Sequence, residues 1–176
     1  MKALREYRSL VAEIDSTCNR IQKRYAQQVV CKKRCAGNCC RIHLPVFAIE
    51  AFSLARALTK LPATQVRRIR QKARRTNTFG PCPLLEKGAC LMYGSRLVIC
   101  RTHGLPMLSE YRGIRSIGFC QKNFQNIDPI PEDAVIDLDR INHTLAAVNC
   151  MFMDELTAGM RLTDRLFIAK ALLLDL

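Results

Sequence analysis

The sequence lacks tryptophan, and only 6% of its residues are aromatic. No apolar stretch approaches the roughly 18 residues that a membrane-spanning helix needs, so no transmembrane segment is predicted. The N-terminal segment, MKALREYRSLVAEID, carries charges throughout and has no apolar core of the kind that a signal peptide requires. No glycine-rich loop follows a predicted strand, which removes the usual signal for a nucleotide cofactor. We therefore expect a cytoplasmic protein.

Acidic residues are scarce before position 128. Residues 1–127 contain 6 acidic and 24 basic residues, a net charge of +18, whereas the rest of the chain carries −5. Ligating thiolates are negatively charged, and neighbouring cations would offset that charge and lower the thiol pKa values. Six basic residues are placed beside cysteines in this way: Lys32, Lys33, Arg34, Arg41, Arg96 and Arg101. The positive charge is therefore partly a counter-charge, and it is not in itself a sign of nucleic-acid binding.

Cysteine, in contrast, is abundant, with ten in the chain. Structural disulfides are rare in a reducing cytoplasm, so clustered cysteines there indicate metal binding or redox chemistry. Cys18 and Cys150 lie within predicted helices away from the clusters, and we predict that both are core thiols. The remaining eight are the predicted metal ligands: Cys31, Cys35, Cys39, Cys40, Cys82, Cys90, Cys100 and Cys120.

Eight soft thiolates suit two four-coordinate sites, or one cluster together with redox-active thiols. The ion is either zinc or the iron of an iron–sulfur cluster, with a four-iron cluster favoured over a two-iron one. His43 and His103 follow Cys40 and Cys100 at C-x2-H spacing and are alternative ligands. The identity of the metal, the number of centres and the grouping of the ligands stay open at this point.

The ordered motifs resemble those of the YkgJ-type cysteine-cluster family. The similarity lies in CKKRCAGNCCR at 31–41, in PCPLLEKGACLMYGSRLVICR at 81–101, and in Cys120. The gap between Cys35 and Cys39 is one residue longer than in the usual family pattern, and Leu97 stands where that pattern has proline. The resemblance covers residues 28–122 and implies a zinc- or iron-chelating protein without a defined reaction.

Apolar periodicity predicts a mainly α-helical single domain over 1–176. We expect a bundle-like helical scaffold that carries an irregular Cys-rich metal-binding lobe at about 28–122, followed by a helical part at about 130–176. Residues 77–127 are predicted to be mostly loop ordered by metal bonds, with a short hairpin formed by Leu97–Ile99 and Ile114–Phe119. The predicted helices are 3–29, 46–60 with Pro45 at its first turn, 63–75, 137–156 and 162–175.

The favoured function is binding of a metal ion or iron–sulfur cluster, with a redox or metal-handling role and an unidentified protein or redox partner. One alternative is a metalloenzyme with an open coordination position, in which Tyr93, Arg101 and His103 would assist, and Glu50 and Glu86 are the carboxyls available as acid or base. Whether the chain is an enzyme is left open. The other alternative, less favoured, is a zinc-stabilised nucleic-acid adaptor. It would use the basic helix VRRIRQKARR at 66–75 and bind with steep salt dependence.

Overall fold

The computed structural model describes residues 1–30, 40, 44–77, 80–156 and 162–176. Within these ranges the chain is mainly α-helical, as predicted. No helix there has both the length and the apolar character that crossing a membrane requires. The helices are α1 (Lys2–Arg24), α2 (Ala48–Leu58), α3 (Ala63–Arg75), α4 (Val98–Thr102), α5 (Leu138–Glu155) and α6 (Ile168–Ala171).

The segments between these helices contain short strands, which form three small sheets. In the first sheet β1 pairs antiparallel with β7, in the second β2 pairs antiparallel with β3, and the third has the order β5-β4-β6. In the third sheet β4 runs antiparallel to β5 and parallel to β6. The strands are β1 (Pro45–Phe47), β2 (Leu85–Glu86), β3 (Ala89–Cys90), β4 (Met107–Tyr111), β5 (Ile114–Gly118), β6 (Ile136–Asp137) and β7 (Arg165–Phe167).

The first core lies where α1, α2 and α5 pack against one another. One face of α5 is buried there through Leu145, Val148 and Phe152, and Phe152 is fully enclosed. The facing stripe of α1 has the spacing of a buried helix face and consists of Ala3, Leu4, Tyr7, Leu10, Ile14, Cys18 and Ile21. Both helices confirm the prediction, although α1 ends at Arg24, five residues earlier than expected.

The second core lies on the other side of α2. Leu54 and Leu58 of α2 pack there with Ile69 of α3 and Leu172, which follows α6. Because Ala48 and Ile49 of the same helix belong to the first core, α2 is buried on both sides and separates the two cores. Cys82, Cys90 and Cys100 pack against the edge of the second core. The predicted third helix, 63–75, is confirmed at both ends.

The prediction of a helix at 162–175 is wrong. The segment begins with β7, which pairs with β1 from Pro45↔Phe167 to Phe47↔Arg165, and only Ile168–Ala171 is helical. Pro45 likewise lies in β1, and α2 begins at Ala48. Pairing between strands that are distant in sequence determines the structure of both segments. Local apolar periodicity cannot predict such a pairing, because it carries no information about the distant strand.

The predicted hairpin is half correct. Ile114–Gly118 forms a strand, but its partner is Met107–Tyr111. Leu97 instead precedes α4 as its N-cap residue. The hairpin turns at Arg112 and Gly113, both with positive φ (53° and 78°), which is the geometry of a two-residue type I′ turn.

Candidate functional site

A backbone hydrogen bond joins Cys40 to Cys82. The N–H of Cys82 donates to the carbonyl oxygen of Cys40 at 2.9 Å. The Cys82 carbonyl in turn accepts from the N–H of Leu85 at 2.9 Å, which turns the chain into β2. The structure thus places Cys40 against the start of the stretch that contains Cys82, Cys90 and Cys100.

A tight hairpin returns the chain to Cys82. Lys87 and Gly88 have φ values of 47° and 74°, as a two-residue turn between β2 and β3 requires. Cys90 then lies opposite Leu85 in the register, and the N–H of Leu91 donates to the Leu84 carbonyl at 2.8 Å. Burial raises the pKa of Cys82, and the charge of a Cys90 thiolate adds to this shift because the two side chains lie near each other.

Burial is the main reason that the pKa of Cys82 is raised to about 11, and the Cys90 charge adds to it. Backbone N–H groups of Leu84 and Leu85 and the Lys72 ammonium oppose this shift. Cys82 is therefore a neutral thiol at pH 7 when no metal ion is bound to it. A metal ion bound here must displace a proton, so its affinity should rise with pH.

Cys100 lies in the middle of α4, which is held at its N-terminus by Glu50. The N–H of Val98 donates to Glu50 Oε1 at 2.9 Å, and the N–H of Phe47 donates to Glu50 Oε2 at 3.3 Å. Glu50 is only 3% exposed, and burial raises its pKa. This carboxyl satisfies N–H groups at the starts of two helices, so its role is structural. The sequence showed the residue but not this role.

The three residues proposed as catalytic helpers differ in their surroundings. The Arg96 guanidinium stacks 3.7 Å from the Tyr93 ring centroid and donates to the Cys100 carbonyl at 3.2 Å. Arg101 donates to Asp15 Oδ1 at 2.6 Å, and its side chain is 9% exposed. His103 is exposed and follows α4 as its C-cap residue. Tyr93 and Arg101 thus have packing roles around α4.

Cys120 lies near the C-terminal end of α4. Its N–H donates to the Gly104 carbonyl at 3.3 Å, and the side-chain amide of Asn123 donates to the same oxygen at 2.6 Å. Asn123 is fully buried and accepts from the N–H of Val30 at 3.0 Å through Oδ1. Asn123 thereby connects Val30, which follows the turn after α1, to the loop that carries Cys120.

Four predicted ligands, Cys31, Cys35, Cys39 and His43, lie outside the described residues. Among the residues that are described, no group of three or more histidine, cysteine, aspartate or glutamate side chains is arranged to hold a metal ion. The described donors Cys40, Cys82 and Cys90 have the soft chemistry that zinc and iron–sulfur clusters take. The full ligand set therefore stays a prediction.

Of the two cysteines that were predicted to be core thiols, one is buried and the other is exposed. Cys18 is 4% exposed within the first core, as predicted. Cys150 is exposed on α5, so its prediction as a core residue is wrong. The buried side of α5 carries Leu145, Val148 and Phe152, and a 100° step per residue places position 150 on the opposite side.

The Cys18 thiol makes stability sensitive to alkaline pH. Burial, and then the charge of Asp15, raise its pKa from 9.0 to about 11. Since the unfolded thiol ionises first, the stabilising contribution is complete below pH 9 and is lost between pH 9 and 11. We expect the unfolding free energy of the native chain to fall by about 1 kcal/mol more than that of Cys18→Ala between pH 8 and pH 10. Urea unfolding of both proteins measures this, and parallel pH profiles would contradict it.

The basic helix α3 is partly neutralised by its neighbours. Glu86 pairs with Arg68 at 2.8 Å and with Lys72 at 3.5 Å. Arg70 pairs with Asp175 at 3.5 Å. Ile69 and Ala73 are buried and Val66 is half-buried, so the apolar side of this helix is narrow. The exposed basic residues of the helix are Arg67, Arg68, Arg74 and Arg75.

No protein-family model, curated protein or solved structure matches this chain. The similarity to the YkgJ-type family therefore depends on the cysteine motifs alone and stays a prediction.

Proposed function

We propose that the chain binds a metal ion or an iron–sulfur cluster through cysteine thiolates and has a redox or metal-handling role. The observation that carries this proposal is the backbone hydrogen bond from Cys82 to Cys40, which joins the two cysteine-rich stretches. Cys40 and Cys82 are 42 positions apart in the sequence. A site that pools ligands from both needs such a junction.

Three described thiols, Cys40, Cys82 and Cys90, would be ligands from the two sides of this junction. Cys31, Cys35, Cys39, Cys100 and Cys120 complete the proposed donor set. When bound, zinc would supply charge stabilisation and order, whereas an iron–sulfur cluster would supply one-electron chemistry. In this proposal the helices form a bundle-like scaffold, and the segment around 28–122 forms an irregular lobe that the metal bonds keep ordered.

The surroundings of Cys82 favour a closed, structural or electron-transfer site. The thiol is packed beside the second core, and Lys72 lies close enough to lower its pKa. Lys72 also donates to the Leu85 carbonyl at 2.8 Å, so its charge is fixed next to the β2–β3 hairpin. A fixed cation near thiolates offsets the negative charge that accumulates in an all-cysteine site.

Elemental analysis and an absorption spectrum of protein purified without oxygen test the proposal. Iron with acid-labile sulfide and a broad band near roughly 400 nm would identify an iron–sulfur protein. A colourless protein with one or two zinc ions per chain would support the zinc form. Protein that retains neither metal, and takes up neither zinc nor iron on anaerobic reconstitution, would overturn the proposal.

The metalloenzyme and nucleic-acid alternatives have less support. The Arg101 guanidinium is already paired with Asp15, and the Arg96 guanidinium covers one face of the Tyr93 ring. On α3, Glu86 and Asp175 pair with three of the six basic side chains. This reduces the charge available for phosphate contacts.

A further inference from the structure

A cavity of about 190 Å³ lies between α1, α2 and the segment that precedes α4. Its α1 wall is formed by Tyr7, Arg8 and Val11, and Leu54 of α2 contributes an apolar surface. Arg96 and Arg101 line the opposite side. This volume is smaller than the roughly 300–1,000 Å³ that drug-sized ligands occupy. A ligand here would therefore be small.

The charges around the cavity favour an anion. Three guanidinium groups line it, and that of Arg101 is paired with the Asp15 carboxylate. Arg8 and Arg96 have no carboxylate partner in the described part of the chain. Arg8 is exposed and has no ion-pair partner among the described residues. Guanidinium groups bind phosphate oxygens with short, charge-assisted hydrogen bonds, which makes them suited to such a ligand.

The Tyr7 side chain also lines this cavity. Tyr7 is 4% exposed and lies beside Arg8 in the cavity wall. Burial and the nearby charge of Glu50 raise the Tyr7 pKa. The hydroxyl therefore stays protonated and can donate to an oxyanion.

We propose that this cavity binds a small phosphate monoester, with its phosphate group between Arg8, Arg96 and the Tyr7 hydroxyl. A phosphate monoester carries a charge of about −1.5 to −2 at pH 7, which the guanidinium groups of Arg8 and Arg96 would offset. Val11 and Leu54 would contact its carbon atoms. The site uses none of the cysteine side chains, so it is independent of the metal-binding proposal.

Calorimetric titration of the full chain, as purified, with glycerol 3-phosphate and with inorganic phosphate tests the proposal at low and constant ionic strength. We expect saturable binding of both, with the ester bound more tightly because of its apolar contacts. Arg8→Gln should weaken binding of both about tenfold, since one charge-assisted hydrogen bond is lost. Tyr7→Phe keeps the ring packed and should weaken it about fivefold.

Arg5→Gln is the matched control, because Arg5 is exposed one turn before Arg8 and does not line the cavity. It should leave binding unchanged. The proposal is overturned if neither ligand binds, if Arg5→Gln weakens binding as much as Arg8→Gln, or if acetate binds as tightly as phosphate. Inorganic phosphate binding more tightly than the ester would overturn the assignment of a monoester.

Discussion

Cys82→Ser is expected to abolish metal binding at the proposed cysteine site and, as a consequence, to lower the stability of the chain. Cys82 connects Cys40 to the β2–β3 hairpin, so its sulfur would be a ligand at the point where both cysteine-rich stretches meet. Structural zinc sites contribute about 10–16 kcal/mol of apparent binding free energy in small domains. Loss of one ligand should therefore cost several kcal/mol. Metal content per chain and thermal unfolding by circular dichroism measure both effects.

Cys150→Ser is the control for this substitution. Cys150 is exposed on α5, and the same chemical change there should alter neither the metal content nor the unfolding midpoint. Cys39→Ser and Cys100→Ser are expected to behave like Cys82→Ser. If Cys39→Ser and Cys100→Ser both retain full metal content, the two stretches do not pool their ligands, and the proposed site is wrong.

Glu50→Ala is expected to lower the unfolding free energy by about 3 kcal/mol, since two buried N–H groups lose their acceptor and a cavity remains. The affected donors are the N–H groups of Phe47, the N-cap residue of α2, and of Val98, the first residue of α4. Glu50→Gln should cost less, about 1–2 kcal/mol, because one oxygen is kept and the desolvated carboxylate is removed. Urea unfolding at neutral pH measures both variants.

Glu13→Ala serves as the reference for this series. Glu13 is exposed on α1, and its replacement should change the unfolding free energy by less than about 0.5 kcal/mol. A Glu50→Ala effect no larger than that of Glu13→Ala would show that water replaces the carboxyl at both helix starts. In that case α4, and Cys100 within it, would not depend on Glu50 for its position.

The local periodicity of apolar residues was sufficient to predict the long helices and their buried faces. The apolar spacing of α1, α3 and α5 depends on residues three and four positions apart, and each of these helices buries the face that its sequence indicates. The burial of Cys18 could be predicted for the same reason. The exposure of Cys150 was also within reach, because its position is out of phase with Leu145, Val148 and Phe152.

Contacts between distant segments could not be predicted in this way. The pairing of β1 with β7 converts part of a helical pattern into a strand, and no residue near 165 indicates that partner. The role of Glu50 likewise depends on Val98, 48 residues away. The cysteine motifs indicated that Cys40 and Cys82 are both ligands but left the grouping of the ligands open. They could not give the backbone hydrogen bond or the tight turn at Lys87 and Gly88 that bring Cys90 back.

The pairing of β1 with β7 also has a consequence for the order in which the chain is made. Residues 165–172 complete the second core, and they are synthesised after all ten cysteines. Nascent chains expose incomplete cores until the closing segment arrives. The thiols of Cys82, Cys90 and Cys100, which pack against that core, therefore lack part of their packing until the last residues are synthesised.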